Sequence, residues 1–396
     1  MFRDARWLTG QRVRIIPAIS AAIGAAMILI VWISARGTVD PFGHPIGADF
    51  TAFWNAGLLA NQGNVADAWD QEALNQSVAR THGVDYLTGW PYPPIFLLVA
   101  AALANLPYLW ALFVWQVASL MGWGATLWLV LKRRVAWLIA LACPITPLVL
   151  ANGQNSFLTA TLLGVGLLNL ERRPWLAGFL FGSMTYKPQL GLVIGPLLLF
   201  TGNWRAIGGA FFSALLLIGL TLFLWGEESW NAFTANLHVG RTYMELGSVG
   251  FHRSASLFSA ARQWGASIPI SYAVQGVGII AALSILWRVR TETTNLKAAA
   301  VCAATALSTP YLLDYDLALV VLGGAFLYAA SLRNSIMPYE KAVLALIWLA
   351  PWVFRPAGEY LLVPMGPAVS ILLAWVTLRR VDSNRRLPRH VDAASA

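Results

Sequence analysis

Charge is scarce in this sequence. Of 396 residues only 11% are Asp, Glu, Lys or Arg, against roughly 25% in soluble domains. An ordinary water-soluble domain is excluded on that ground. Cysteine is scarce too. Cys143 and Cys302 are the only two, and each lies inside an apolar run, where a small core residue belongs. A disulfide framework and a metal site are therefore not expected. No glycine-rich phosphate loop and no internal repeat stand out. A cleavable leader is not expected either. Arg3, Arg6, Arg12 and Arg14 lead into a long apolar run without a small-residue cleavage site, which reads as a retained anchor.

What the sequence does have is apolar surface: 58% hydrophobic residues, with 19 Trp. The net charge of +9 is not a nucleic-acid footprint, because the bases sit at the ends of apolar runs. The chain reads as an all-α polytopic membrane protein, with one integral domain over residues 1–396.

Apolar runs fall at about 15–34, 92–131, 135–151, 154–170, 174–201, 206–225, 269–289, 296–310, 315–331, 341–354 and 359–378. A spanning helix needs about 20 residues, so 92–131 and 174–201 are too long for one straight helix each. The first breaks at Asn105-Leu106-Pro107 and the second at Lys187-Pro188. The excess of bases in cytoplasmic loops decides the count. Let 92–104 lie at the outer surface and let 174–186 and 189–201 be two short spans. Twelve crossings result, with both termini cytoplasmic. Arg3, Arg6, Arg12, Arg14, Lys132, Arg133, Arg134, Arg172, Arg173 and Arg205 then lie inside, with Arg288, Arg290, Lys297, Arg333, Lys341 and the tail 379–396 bearing Arg379, Arg380, Arg385, Arg386 and Arg389. A single helix over 174–201 would send that tail outside. The large outer loops are 35–91 and 226–268.

Thirteen residues of helix rise about 20 Å, short of the roughly 30 Å of hydrocarbon. Lys187 is thus expected below the outer surface. A lysine there is costly unless it has a partner or a ligand, and the plain alternative is that it snorkels. Were it unpartnered, removing its charge would leave stability unchanged or raised.

Most unusual polar residues collect on the outer side. In the first loop, Gly47-Ala48-Asp49-Phe50-Thr51-Ala52-Phe53-Trp54-Asn55-Ala56-Gly57 sets Phe50, Phe53, Trp54 and Ala56 to Leu59 on one helical face, with Thr51 and Asn55 off it. That pattern predicts an amphipathic helix lying on the membrane. Asp49 stands at its N-terminal end, where an aspartate is either a cap or a reactive group. Asp67-Ala68-Trp69-Asp70 reads as a solvated loop that starts a helix and not as a metal site. Trp90-Pro91-Tyr92-Pro93-Pro94 is a rigid turn. Asn152-Gly153-Gln154-Asn155 is a hairpin turn whose amides suit sugar hydroxyls. The second large loop carries His238, Arg241, Glu245, His252, Arg253 and Arg262. Asp314 or Asp316 is expected to cap the helix after Pro310, and Arg355-Pro356 to form the last outer turn.

Short cytoplasmic loops leave no room for a nucleotide-binding domain, so a nucleotide-activated donor does not fit. A lipid-phosphate sugar does, because its tail stays in the bilayer. Such chemistry needs a cation for the departing phosphate and a carboxylate for the acceptor proton.

Gly47-x-Asp49-Phe50-x-x-Phe53-Trp54-x-Ala56, Tyr92-Pro93-Pro94, Asn152-Gly153-Gln154-Asn155, Ala177-Gly178 and Lys187-Pro188 occur in this order. The set resembles glycosyltransferase family 87, polyprenyl-phosphate-sugar-dependent membrane glycosyltransferases similar to the phosphatidylinositol mannoside mannosyltransferases. The resemblance runs over about 45–200 and weakly through Ser308-Thr309-Pro310. It implies the class C glycosyltransferase fold, a bacterial inner-membrane location, a polyprenyl-phosphate sugar donor, and a lipid or glycan acceptor. No further cofactor or metal is implied, and membrane lipids are the surroundings. It implies Asp49 as the general base and Lys187 as a donor-phosphate ligand. Arg241 and Arg253 join the expected phosphate ligands, and Tyr92, Asn152, Gln154, Asn155 and His252 the sugar or acceptor ligands. Mycobacterial members favour Ser-Trp-x-His after the equivalent of Pro310, where this chain has Tyr311-Leu312-Leu313-Asp314-Tyr315-Asp316. A hexosyl group is expected, and mannose does not carry over.

Two other classes compete. A transporter or flippase would explain a charged break in a helix, but it would need polar residues toward both sides. A non-catalytic scaffold would have no use for a lysine buried beside a proline break.

Overall fold

The computed structural model describes residues 2–332 and 335–386. Arg333 and Arg389, placed on the cytoplasmic side above, lie outside the described residues. Among those described, the chain is helical, with three isolated β-bridges.

The first apolar run forms α1 (Gly10–Ser34), started by the Thr9 hydroxyl accepting from the Arg12 N–H. The loop that follows is folded, with α2 (Phe50–Asn61), α3 (Gln71–His82) and α4 (Leu97–Leu103). Asp70 caps α3 by accepting from Ala73 N–H at 2.8 Å, as its sequence setting predicts. α5 (Tyr108–Leu131) begins after Pro107. α6 (Val135–Ala142) and α7 (Ile145–Asn152) meet at 62°, around Cys143-Pro144. α8 (Ser156–Asn169), α9 (Pro174–Gly182) and α10 (Gly191–Phe200) follow. Between α9 and α10 the chain breaks at Lys187 (φ −122°, ψ 74°), because Pro188 has no N–H to give and bars its predecessor from the α region. α11 (Trp204–Ala235) kinks at Gly226 (φ 65°, ψ −171°), where the apolar run ends. The second large loop is therefore mostly helical, through α12 (Leu237–Leu246) and α13 (Leu257–Gln263).

α14 (Ile268–Val289), α15 (Thr294–Ser308), α16 (Ala318–Ser331), α17 (Glu340–Leu361) and α18 (Met365–Arg386) complete the bundle. α15 is buried from Leu296 to Ser308. Its alanines at 298–300, 303, 304 and 306 let α14, α16 and α18 approach closely, as small residues do between membrane helices. The expected turn at Arg355-Pro356 does not form. α17 runs through both Pro351 and Pro356, a tolerance usual for prolines in membrane helices. The chain reverses at Leu362-Val363-Pro364, with Leu362 at φ 53° and Val363 N–H donating to Ala357 C=O at 3.0 Å.

Among the described residues, five helical segments are long and apolar enough to cross a membrane, or six if the bent α6–α7 pair is one span. α8 and the helical segments 94–103 and 188–200 are apolar but shorter.

Apolar packing divides into two bodies. The larger fills the bundle from Trp123 to Val381. The smaller joins the first loop to the start of α5 through an aromatic cluster: Phe53 meets Trp90, Tyr92, Phe96 and Trp115 edge-on at centroid distances of 5.1–6.3 Å. The α2 pattern needs a correction. Thr51 and Asn55 are not at a wet surface but fully buried, since α3 covers that face. Asn55 Oδ1 accepts from Ser77 and Thr81 hydroxyls at 2.8 Å each, and Thr51 Oγ1 lies 2.6 Å from His82 Nε2. Burial pushes the His82 imidazole down to about 4, so it sits neutral in this network. The polar face of α2 is thus packed into the protein instead of facing water.

Candidate active site

Asp49 lies where the two packed bodies meet, and backbone geometry fixes it there. Gly47 has φ +80° and Gly153 φ +63°, a region that favours glycine. Space also demands these residues: a Cβ on Gly153 would fall 2.5 Å from Phe50 Cβ, and one on Gly47 2.9 Å from Leu112 Cδ1. The close approach lets Asp49 N–H donate to Asn152 C=O at 3.1 Å. Gly57 has the same office at the other end of α2, where a Cβ would overlap the Ala100 carbonyl of α4. Gly178 plays it between α9 and the Ala206 carbonyl of α11.

Asp49 occupies the N-cap position of α2, yet its side chain makes no capping hydrogen bond. Instead Gln154 Nε2 donates to its Oδ2 at 2.6 Å. Gln154 is aimed by the turn that ends α7, where Gly153 N–H bonds Leu150 C=O and Gln154 N–H bonds Val149 C=O, a left-handed glycine cap. The residue Asp49 keeps some exposed surface, but its carboxyl is densely surrounded. Crowding at the carboxyl, rather than exposure of the whole residue, governs its proton affinity. Burial raises it above the usual carboxylate range. The Gln154 hydrogen bond and the fields of Arg253 and Arg355 oppose this, while Asp314 adds to it.

Two ion-pair groups lie on the Asp314–Asp316 turn, and the second acts on the Asp49 carboxyl. Lys187 Nζ donates to Asp316 Oδ1 at 2.8 Å, with both side chains under a tenth exposed. The Ser156 hydroxyl donates to the same oxygen at 2.8 Å, and Leu313 N–H reaches Asp316 Oδ2 at 3.3 Å. Asp316 thus meets a backbone group at its helix start, as expected, and is also the counter-charge of Lys187. In the second group Asp314, fully buried, accepts from Arg355 Nε and lies 3.9 Å from Arg253 Nε. Strand-like pairing of residues 254–255 with 312–313 brings these segments together, through the Ser254–Leu313 bridge and Ala255 N–H to Leu312 C=O at 2.7 Å. Gly358 and Gly366 let α17 and α18 close onto His252 and Ala255.

The other expected residues divide. Asn155 is fully buried, and neither amide atom has a hydrogen-bond partner. Tyr92 packs edge-on to Phe53, and burial together with the fields of Asp316 and Asp49 pushes its phenol well up. The Asn152 amide turns back to Leu148 C=O at 2.7 Å, so its backbone alone meets Asp49. Arg241 is bound to Glu245 at 2.7 Å on exposed α12. His252 is brought in through its backbone, against α17. Arg355, Asp314, Asp316 and Ser156 were not expected in the site. A sequence signal existed for the first three alone: charges flanking apolar runs.

The fold and this site define a helical membrane protein with a crowded carboxylate beside an arginine pair. The chain belongs to glycosyltransferase family 87, which it matches over residues 90–313, more than half its length. It is a membrane glycosyltransferase. Asp49 precedes the matched span and Arg355 follows it. No curated protein and no solved structure matches the chain.

Proposed function

We propose that the protein moves a hexosyl group from a polyprenyl-phosphate sugar to a lipid or glycan acceptor on the outer face of a bacterial inner membrane. Asp49 is the general base. The acceptor hydroxyl gives its proton to the Asp49 carboxylate as its oxygen bonds the anomeric carbon. The bond from that carbon to phosphate oxygen breaks, and polyprenyl phosphate leaves with the electron pair.

The observation that carries this reading is the Asp49 carboxyl itself. It stands at a cap position without capping, and a neutral amide holds it in place. Its raised proton affinity suits a base working near neutral pH. Gln154, Asn155 and Tyr92 are its buried neighbours, and the unpartnered Asn155 amide is the polar group among them left to meet a sugar hydroxyl. Of the three bases expected at the phosphate, Lys187 is committed to Asp316 and Arg241 to Glu245. Arg253 remains.

The class C architecture and the twelve crossings belong to the same proposal. α1, α5, the α6–α7 pair, α8, α9, α10, α11, α14, α15, α16, α17 and α18 each take one crossing. Residues 35–91 and 226–268 form the outer loops, and the tail from 379 faces the cytoplasm. Assaying the purified protein against a panel of polyprenyl-phosphate sugars tests the function. Transfer or donor hydrolysis with at least one is expected; turnover of none of them contradicts the reading.

A further inference from the structure

Arg253 and Arg355 share one carboxylate. Asp314 Oδ2 accepts from Arg355 Nε and has Arg253 Nε 3.9 Å away, while Oδ1 is taken by Tyr315 N–H at 2.9 Å. Two guanidinium groups against one carboxylate leave one positive charge. The neighbouring Lys187–Asp316 pair leaves none. The donors tell the same story. Each guanidinium carries five N–H groups. Arg253 Nε and Arg355 Nη2 are enclosed by protein, yet neither has an acceptor. Enclosed donors without partners are costly, and a planar guanidinium is built to grip the oxygens of a phosphate. Both side chains remain partly exposed, at 29% and 39%, so a ligand reaches their outer N–H groups, while the two enclosed donors need a small shift to meet it. Both also act on the Asp49 carboxyl, so an anion held here lies beside the base.

We propose that Arg253 and Arg355, held by Asp314, clamp the phosphate of the lipid-linked donor. This deepens the function proposed above and rests on it. A sugar phosphodiester bears one negative charge, and the two guanidiniums with Asp314 carry one positive charge over, which the ionised Asp49 shares with the phosphate. When the bond to the anomeric carbon breaks, the electron pair stays on phosphate oxygen. The clamp then faces a phosphomonoester, and its hold strengthens toward the transition state. Lys187, neutralised by Asp316, is a positioning residue that fixes the break between α9 and α10 against the Asp314–Asp316 turn.

Binding of free polyprenyl phosphate to the full-length protein in detergent tests the clamp, read as ligand-induced thermal stabilisation and as Kd. Arg355→Gln should weaken binding roughly tenfold or more, in line with loss of charged hydrogen bonds. Arg355→Lys, which keeps the charge without the fork, should fall between. Should Arg355→Gln fail to fold, Arg253→Gln takes its place with the same expected loss. An arginine that merely tied α17 to Asp314 would lower the melting temperature without changing Kd, and that result overturns the clamp. Anionic phospholipid and inorganic phosphate separate the sources. Equal competition by phosphatidylglycerol or by phosphate ion would show a general anion site and overturn the assignment to the donor. If the parent protein binds no polyprenyl phosphate, the proposed function falls, and the clamp with it. Parent binding that Arg355→Gln leaves unchanged overturns the clamp alone.

Discussion

Replacing Lys187 by methionine separates what the sequence suggests from what the structure dictates. An unpartnered lysine under the membrane surface would be relieved by Lys187→Met. The structure gives it a partner 129 residues away, Asp316, at 2.8 Å, with both side chains under a tenth exposed. Methionine keeps the stem and strands the carboxylate. Removing one member of a buried ion pair costs about 3–5 kcal/mol. Asp316 keeps the Ser156 hydroxyl and the Leu313 N–H, so the low end, about 3 kcal/mol, is expected here. That is roughly a hundredfold in the folding equilibrium. Adding Asp316→Asn should recover part of the loss, with a coupling of about 1–3 kcal/mol between the sites. Unfolding of the two single variants and the double variant, in mixed micelles across a denaturant series, measures all three terms. A Lys187→Met protein within about 0.5 kcal/mol of the parent, the scatter of an ordinary surface change, or strict additivity in the double variant, would refute the reasoning.

Two further outcomes follow. The Gln154 hydrogen bond lowers the Asp49 pKa against the upward push of burial. In Gln154→Leu that restraint is gone, and the carboxyl holds its proton to higher pH. Since the base must be ionised, the acid limb of the rate profile should move to higher pH; an unmoved or lowered limb counts against Asp49 as the titrating group. The proposed crossings predict that Gln62→Cys reacts with an impermeant maleimide added outside intact cells, while Arg173→Cys reacts only after permeabilisation. Both positions are exposed and the native cysteines are buried, so background is low. Labelling of both from one side would break the topology.

The sequence carried most helices because apolar length and proline breaks are local properties. Lys187-Pro188 and Gly226 interrupt the chain where the runs end, since each acts on its own backbone. The α2 helix was legible, but its environment was not. Thr51 and Asn55 look like a wet face until α3, a polar helix some ten residues onward, is folded over them. The same limit applied to the site. Gly47, Asp49, Gly153 and Gln154 form short motifs, and their local turns could be read. The ion pairs could not, because Lys187 with Asp316 and Asp314 with Arg355 join segments whose register only the tertiary fold fixes. Arg355 was hidden further by Pro356, which suggests a turn in sequence and sits inside a continuous helix in the fold.

The central claim is that Asp49 removes the acceptor proton. Asp49→Asn keeps the size of the side chain and can still accept the Gln154 hydrogen bond, but it cannot act as a base. The direct measurement is the initial rate of sugar transfer from the preferred polyprenyl-phosphate donor by purified parent and variant, each reconstituted in vesicles and each shown to bind polyprenyl phosphate. Binding should survive and the rate should fall by about 10²–10⁴-fold, the range for loss of a general base. A variant that binds the donor and transfers sugar within about threefold of the parent, far inside that range, would contradict it.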